Sequence, residues 1–260
     1  MTMTINNMVR NQMSPAMQRL ASGNRVNSAA DDAAGAAIIE TMTAQLRGLD
    51  QGTANTLDMQ NLVQTADGGL DTINDSLNRI RELSVQAAND TNTGVGRQII
   101  QNEINQLADH IQSTVQNTQF NGQNLLDGTV TDFNTASSAS GEGAQVSIND
   151  MSSLAQAVAN FNVTGSFNIN DIDSAINEVS GQRAQLGAMS NRFDFTASAN
   201  TISSLNMADA RSRVQDADIA AEMAALNQDR VINEMEVLMQ QRQQRQMEEE
   251  GQQVIGAANR

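Results

Sequence analysis

"LDQGTANTLDMQNLVQTADGGLDTINDSLNRIRELSVQA", residues 49–87, decides how this chain folds. Two columns run through it at seven-residue steps. One is Leu49, Thr56, Val63, Leu70, Leu77 and Ser84; the other, three residues on, is Gly52, Met59, Ala66, Ile73, Ile80 and Ala87. Apolar or small residues at a and d of a repeated heptad mark a helix packed along its length against partners. The periodicity begins near Ile38, and a helix from Gln45 to Ala88 would run about 66 Å at about 1.5 Å per residue. Turn formers and a glycine in "NDTNTG" (89–94) predict its end.

Two further stripes flank a different kind of sequence. From about Gly96, Ile100, Ile104, Leu107, Ile111 and Thr114 predict a second helix, ending before "NTQFNGQNLLDGT" (117–129), whose Asn-Gly and Asp-Gly pairs are turn chemistry. From about Asn170, Ile172, Ala175, Val179, Gln182, Leu186, Met189 and Phe193 predict a third. No proline or turn cluster stops it, so it is expected to run past Ile202 and Leu205 toward Met239. Between them, "AQVSI" (144–148) alternates like a strand, with "FNVTGSFNI" (161–169) as its expected hairpin partner. The fold class is therefore mainly α: an elongated antiparallel helical bundle or coiled coil formed from both chain ends, with a small β-hairpin region in the middle.

Composition narrows the function. Six Phe, no Trp and no Tyr in 260 residues leave little material for an ordinary globular core. Thirty acids against fifteen bases, a net charge of -15, oppose binding to nucleic acid or anionic membranes. There is no cysteine, hence no thiolate chemistry. The N-terminus lacks the apolar segment of a secretory signal peptide, and "AAGAAII" (33–39) is far short of the ~18 apolar residues that span a bilayer. Export would use a route without a cleaved signal.

Catalytic constellations are missing. His110, the single histidine, has no HExxH around it and reads as a partly exposed helix residue. No phosphate-binding glycine motif occurs, and no cofactor is expected. Asp31–Asp32 read better as acids in the first turn of a helix, with Ser28 as N-cap, than as a cation site lacking further ligands. Arg79 and Arg81 flank Ile80 on exposed faces, with Glu82 and Glu103 as partners, and Met223, Met235 and Met239 alternate with Leu226 and Leu238 as core filler. Thin apolar seams at both chain ends leave surface for another copy, and a contact whose rotation does not close builds an open helical polymer. The sequence thus describes a structural subunit rather than an enzyme.

The residues also carry a family resemblance. "RLASGNRVNSAADDAAGAAI" (19–38), "LNRIRELSVQAANDTNT" (77–93), "TQFNGQNLLDG" (118–128), "LGAMSNRFD" (186–194) and "ARSRVQDADIAAEM" (210–223) resemble motifs of bacterial flagellin, in the family's order. The resemblance implies a secreted subunit, exported unfolded through a type III apparatus, that polymerises into the extracellular flagellar filament used for motility. It implies an inner-tube helix over 1–32, a rod over 33–130 and 169–214, a short variable insertion with the hairpin over 131–168, and a C-terminal inner-tube helix over 215–260. Gly23 and Gly35 would permit the bend between inner helix and rod, with Asp31 and Asp32 starting the next helix. Implied partners are further copies of the chain, the flagellar cap, hook-junction proteins and an export chaperone. Arg79, Leu83 and Glu103 would pack between subunits in the filament, and toll-like receptor five would meet the same surface. The alternatives are a hook–filament junction protein and a non-polymerising homologue. Two stretches depart from the pattern: Pro15 after Ser14, and the polar "QQRQQRQMEEEGQQVIGAANR" (240–260).

Overall fold

The computed structural model describes residues 14–258. In chain order the elements are α1 Ser14–Ser22, α2 Ala33–Ala87, α3 Gly94–Asn117, β1 Gln119–Phe120, β2 Gln123–Asn124, β3 Asp132–Ala136, β4 Gly143–Ser147, α4 Ser152–Ala159, α5 Ile169–Gln215 and α6 Ile219–Ala258. They divide into two compact units. One spans Gln45–Asn206; the other joins the chain up to Ala44 with the chain from Met207 onward.

The seam of α2 organises the larger unit. Met59, Val63, Ala66, Leu70, Ile73, Leu77, Ile80 and Ala87 are all buried, several completely. Each large one contributes about 1.5–3 kcal/mol by leaving water. Leu49, the first seam position, is only half-buried; Leu46, one turn earlier, takes the buried place. The two hydroxyls in the seam, Thr56 and Ser84, are buried because each donates to the carbonyl four residues back, Gly52 O at 2.7 Å and Ile80 O at 2.7 Å. Thr41, Thr43, Thr53, Thr65, Thr72 and Ser76 of the same helix do likewise.

Helix α5 lies antiparallel to α2, and polar pairs mark the alignment. Asp50 meets Ser204, Gln60 meets Asp194, Asp67 and Asp71 share Arg183, Asn74 meets Ser180, and Arg81 meets Asp173. These pairs are largely exposed, so each contributes at most about 1 kcal/mol; they set alignment while the seam supplies cohesion. Helix α3 packs on the C-terminal half of α2, also antiparallel, through Arg79–Glu103 at 2.8 Å and Ser76–His110 at 3.3 Å. Thr93 caps α3 by accepting from Gly96 N. Its buried stripe is Ile100, Ile104, Ala108, Ile111 and Val115; Leu107 and Thr114, expected inside, are half-exposed because the stripe drifts with the 3.6-residue turn. On α5 the buried residues are Ile172, Ala175, Val179, Gln182, Leu186 and Phe193, with Met189 half-buried.

Below the end of α3 a β-hairpin replaces it. The change comes at Gly69, where a Cβ would lie 2.6 Å from Thr118 Oγ1. β1 and β2 make a tight hairpin around Asn121–Gly122, and Leu125 and Leu126 then enter the core. β3 pairs with β4 in antiparallel register, Asp132 opposite Ser147 and Ala136 opposite Gly143. The strand expected near 144–148 is present, but its partner is 132–136, not 161–169. The stretch 161–168 curls instead. Asn162 Oδ1 accepts from Thr164 N and Oγ1, Phe161 and Phe167 meet edge to face at 5.9 Å, and Gln101 clamps the loop by donating to Phe161 O and accepting from Val163 N. Local caps and buried rings outcompete alternation there. Helix α4, not anticipated, buries Leu154, Ala155 and Val158.

The tip of the β3–β4 hairpin rests on α2. Ala136 O accepts from Asn55 Nδ2 at 2.9 Å, and Ser137 O accepts from Asn200 Nδ2 of α5 at 2.7 Å. A Cβ at Gly52 would sit 2.7 Å from Ser137 O, so the glycine in the heptad column is what lets the tip approach. At the far end of β4, buried Gln182 donates to Ser147 O at 3.1 Å.

The third helix does not run on to Met239. α5 stops at Gln215, and Asp218 starts α6 by accepting from Ala220 N and Ala221 N. "DAD" (216–218) is a cap signal without a glycine or proline.

Gly52→Ala should destabilise the protein by about 1–3 kcal/mol through overpacking against Ser137, although Ala is the better helix former. Gly68→Ala, where a Cβ meets open space, should stabilise it by up to about 1 kcal/mol. Urea unfolding of the two variants checks both signs.

Candidate functional site

Among the described residues, no group of three His, Cys, Asp or Glu side chains is placed to hold a metal ion, and no helix is long and apolar enough to cross a membrane. A recess of about 580 Å³ between α4 and the start of α5 is lined by Val158, Phe161, Phe167, Asn162 and Ile172, with Asp171 as its one charged group. His110 is exposed. Ser76 Oγ donates to Thr72 O, so Ser76 accepts from His110 Nδ1.

The connection 19–38 is architecture. Gly23 has φ +72°, the left-handed conformation that closes α1, and its N–H donates to Arg19 O at 2.8 Å. The next residues run beside the far end of the chain: Arg25 N donates to Gln215 O at 2.7 Å, Ala217 N to Gly23 O at 2.9 Å, and Asn24 and Asp216 form an antiparallel bridge. Arg25 Nη2 adds a bond to Val214 O, and Arg19 pairs with Glu222 at 3.4 Å. Val26 and Leu226 are buried within the same unit. Chain ends that are nearly 200 residues apart in sequence are thus tied by backbone hydrogen bonds.

The aspartates split their duties. Asp31 Oδ2 accepts from Asn27 N, Ser28 N and Ser28 Oγ, and the Ser28 and Asn27 backbone donors hold its carboxyl below the usual range. Asp32 Oδ1 accepts from Gly35 N at 2.9 Å. The cap of α2 is therefore Asp32, and the expectation for Ser28 fails because 28–31 form a turn ahead of the helix. Gly35 is no bend either: it sits in the first turn of α2, where a Cβ would come within 2.5 Å of Asp32 Oδ2.

Arg79 and Glu103 lie together at the surface, with Glu82 on the other side of the guanidinium at 3.0 Å. Glu103 first, then Glu82, raise the Arg79 pKa. Leu83 does not share that surface. It is 2 % exposed and belongs to the core, because it lies on the seam side of α2 beside Ile80 and Ala87.

Uncovered apolar faces are the other feature. On α5, Phe195, Ile202 and Leu205 are exposed, Phe195 at 76 %, and form a second stripe off the buried seam, beside Ala188, Arg192 and Ala199. The heptad register ending at Phe193 leaves Phe195 out, which was the available signal. On α6, Met223, Val231, Ile232, Met235, Leu238 and Met239 are exposed. Of the residues expected to fill a core there, only Leu226 is buried among the described residues.

Known proteins match both ends of the chain. The family model for the bacterial flagellin N-terminal helical region matches residues 1–131, and that for the flagellin C-terminal helical region matches residues 169–250. The flagellin of Halalkalibacterium halodurans is 40% identical over 231 residues, covering 86% of this chain and 85% of the relative. The flagellin of Bacillus subtilis is 37% identical over 259 residues, covering 84% of each. The crystal structure of Bacillus cereus flagellin aligns with a TM-score of 0.51 at 31% identity, covering 56% of this chain and 88% of that one. A putative flagellar hook-associated protein of Vibrio parahaemolyticus shares the fold, with a TM-score of 0.54 at 16% identity, covering 72% of this chain and 100% of that one. Two family models in order, and relatives at this identity over most of their length, establish that this chain belongs to the bacterial flagellin family.

Proposed function

We propose that this protein is the structural subunit of an extracellular flagellar filament, a homopolymer used for motility. The supporting observation is the pairing of two features. The chain ends are tied together at 23–25 and 215–217, and large apolar faces on α5 and α6 have no cover among the described residues. Such faces on a chain this acidic fit burial against further copies rather than against a membrane or nucleic acid. A hook–filament junction role gains no support over this one, since the relatives at 37% and 40% identity over most of their length are flagellins, whereas the hook-associated protein shares only the fold at 16% identity.

In this reading residues 1–32 and 215–260 belong to the inner tube, of which 1–13 and 259–260 lie outside the described residues. Residues 33–130 and 169–214 form the rod, and 131–168 the surface insertion. The chain leaves the cell unfolded through a type III route, handed over by an export chaperone, and grows beyond hook-junction proteins under a cap. It performs no catalysis. Toll-like receptor five, where it meets this protein, reads Arg79 and Glu103 directly, whereas Leu83 supports them from the core.

The experiment is depolymerisation by heat followed by regrowth on short seeds. Wild-type protein should regrow filaments visible by electron microscopy. Phe195→Asp with Ile202→Asp should retain the helical circular dichroism of the monomer yet fail to elongate. Wild-type chains that stay monomeric on their own seeds would remove the polymer reading. Arg79→Ala should lower receptor signalling without a change in thermal melting, whereas Leu83→Ala should cost about 2–5 kcal/mol of stability.

A further inference from the structure

The turn at the tip of β1–β2 carries reactive chemistry of its own. Asn121–Gly122 is the only Asn-Gly in the chain. It forms a two-residue hairpin loop, because Phe120 pairs with Gln123 directly across it. Asn121 has φ +49°, the only positive φ of any non-glycine among the described residues, and Gly122 follows at φ +77°. Both are exposed, no atom beyond the adjoining residues lies within 4 Å of where a Gly122 Cβ would be, and the Gly122 N–H makes no hydrogen bond among the described residues.

We propose that Asn121 is a self-modification site, converting to aspartate and isoaspartate through a cyclic imide in the folded protein. The Gly122 nitrogen gives up its proton to solvent base and attacks Asn121 Cγ. A nitrogen–Cγ bond forms, the side-chain carbon–nitrogen bond breaks and ammonia leaves. One water then opens the ring. Cleavage at Cγ restores a normal backbone with an aspartate, and cleavage at the main-chain carbonyl leaves isoaspartate, with an extra methylene in the backbone. No redox partner is needed.

The surroundings select this asparagine. Attack requires a free, unshielded backbone nitrogen on the next residue. At Asn27–Ser28, the next least hindered pair, the Ser28 N–H donates to Asp31 Oδ2 at 2.9 Å. Within helices the following nitrogen is committed to the i−4 carbonyl. Only the hairpin tip combines a glycine, exposure and an unbonded N–H.

The consequence is local. A two-residue loop fixes the pairing of Gln119 with Asn124, and the added methylene in isoaspartate does not fit that register. The strand leads directly into Leu125, whose N–H donates to Thr118 O at 3.0 Å, and both Leu125 and Leu126 are fully buried. Conversion should therefore loosen the stitch that joins the end of α3 to the core.

Folded protein is incubated at 37 °C in mildly alkaline buffer, with circular dichroism confirming the fold, and peptide-mapped by mass spectrometry over days. The amide-to-acid mass change should appear first at Asn121, several-fold faster than at any other asparagine, with isoaspartate the larger product. Hydrogen exchange across 118–126 should rise in the isoaspartate fraction but not in Asn121→Asp, which carries the same charge on a normal backbone. Another asparagine leading, or Asn121 reacting only once the chain is unfolded in urea, overturns the proposal. None of these outcomes depends on whether the protein polymerises.

Discussion

The dry seam of α2 is the constraint on which everything else rests. A single helix of 55 residues cannot bury its own stripe, and its columns from Met59 to Ala87 are almost entirely inaccessible to water. Every other element of the larger unit can be understood as cover for it. α5 takes one flank along its length, α3 takes the other as far as Gly69, and the β3–β4 hairpin takes over beyond. The small residues follow from the same need. Gly52 and Gly69 occupy positions where the covering backbone or a threonine comes too close for a Cβ, and a bulkier column would have pushed the cover off.

The smaller unit solves a different problem. Its helices carry apolar residues in number, yet among the described residues its two ends are tied by main-chain bonds at Gly23–Arg25 and Gln215–Ala217, by Arg25 on Val214 O and by the Arg19–Glu222 pair, with only Val26 and Leu226 as buried apolar side chains. Strand-like pairing of two short non-helical segments needs no large side chains, which suits a region whose greasy surface is reserved. The capping aspartates, Asp32 for α2 and Asp218 for α6, start long helices beside this joint, so the polarity of each helix end is settled locally.

Much of this was legible before any coordinates. The seven-residue columns located α2 and nearly all its buried positions; the stripe of α5 fell where expected, and that of α3 did so except at Leu107 and Thr114. Three misreadings share one cause, which is that periodicity says nothing about what a side chain does to its own backbone. Asn162 and Asn168 curl a segment that alternates like a strand, Asp218 breaks a helix that lacks glycine or proline, and Asp32 rather than Ser28 caps α2. Leu83 is a subtler case. Its neighbours Arg79 and Glu103 are surface residues, but at 3.6 residues per turn Leu83 faces inward with Ile80. Met223, Met235 and Met239 have the spacing of core filler and yet are exposed, because spacing identifies a face without identifying what covers it.

The hydroxyls of α2 carry one more implication. By satisfying themselves on the preceding turn, Thr56 and Ser84 make their two places in the seam chemically mute: no partner helix needs to answer them with a donor or acceptor, and sliding by a turn would strand neither hydroxyl. Alignment is then the task of the wet rungs along the edges, from Asp50–Ser204 to Arg81–Asp173. Grip and vernier reside in different solvents. Added salt screens the charged rungs while leaving burial intact, so ionic strength acts on how strictly the two long helices are held in step, and hardly at all on how firmly they adhere.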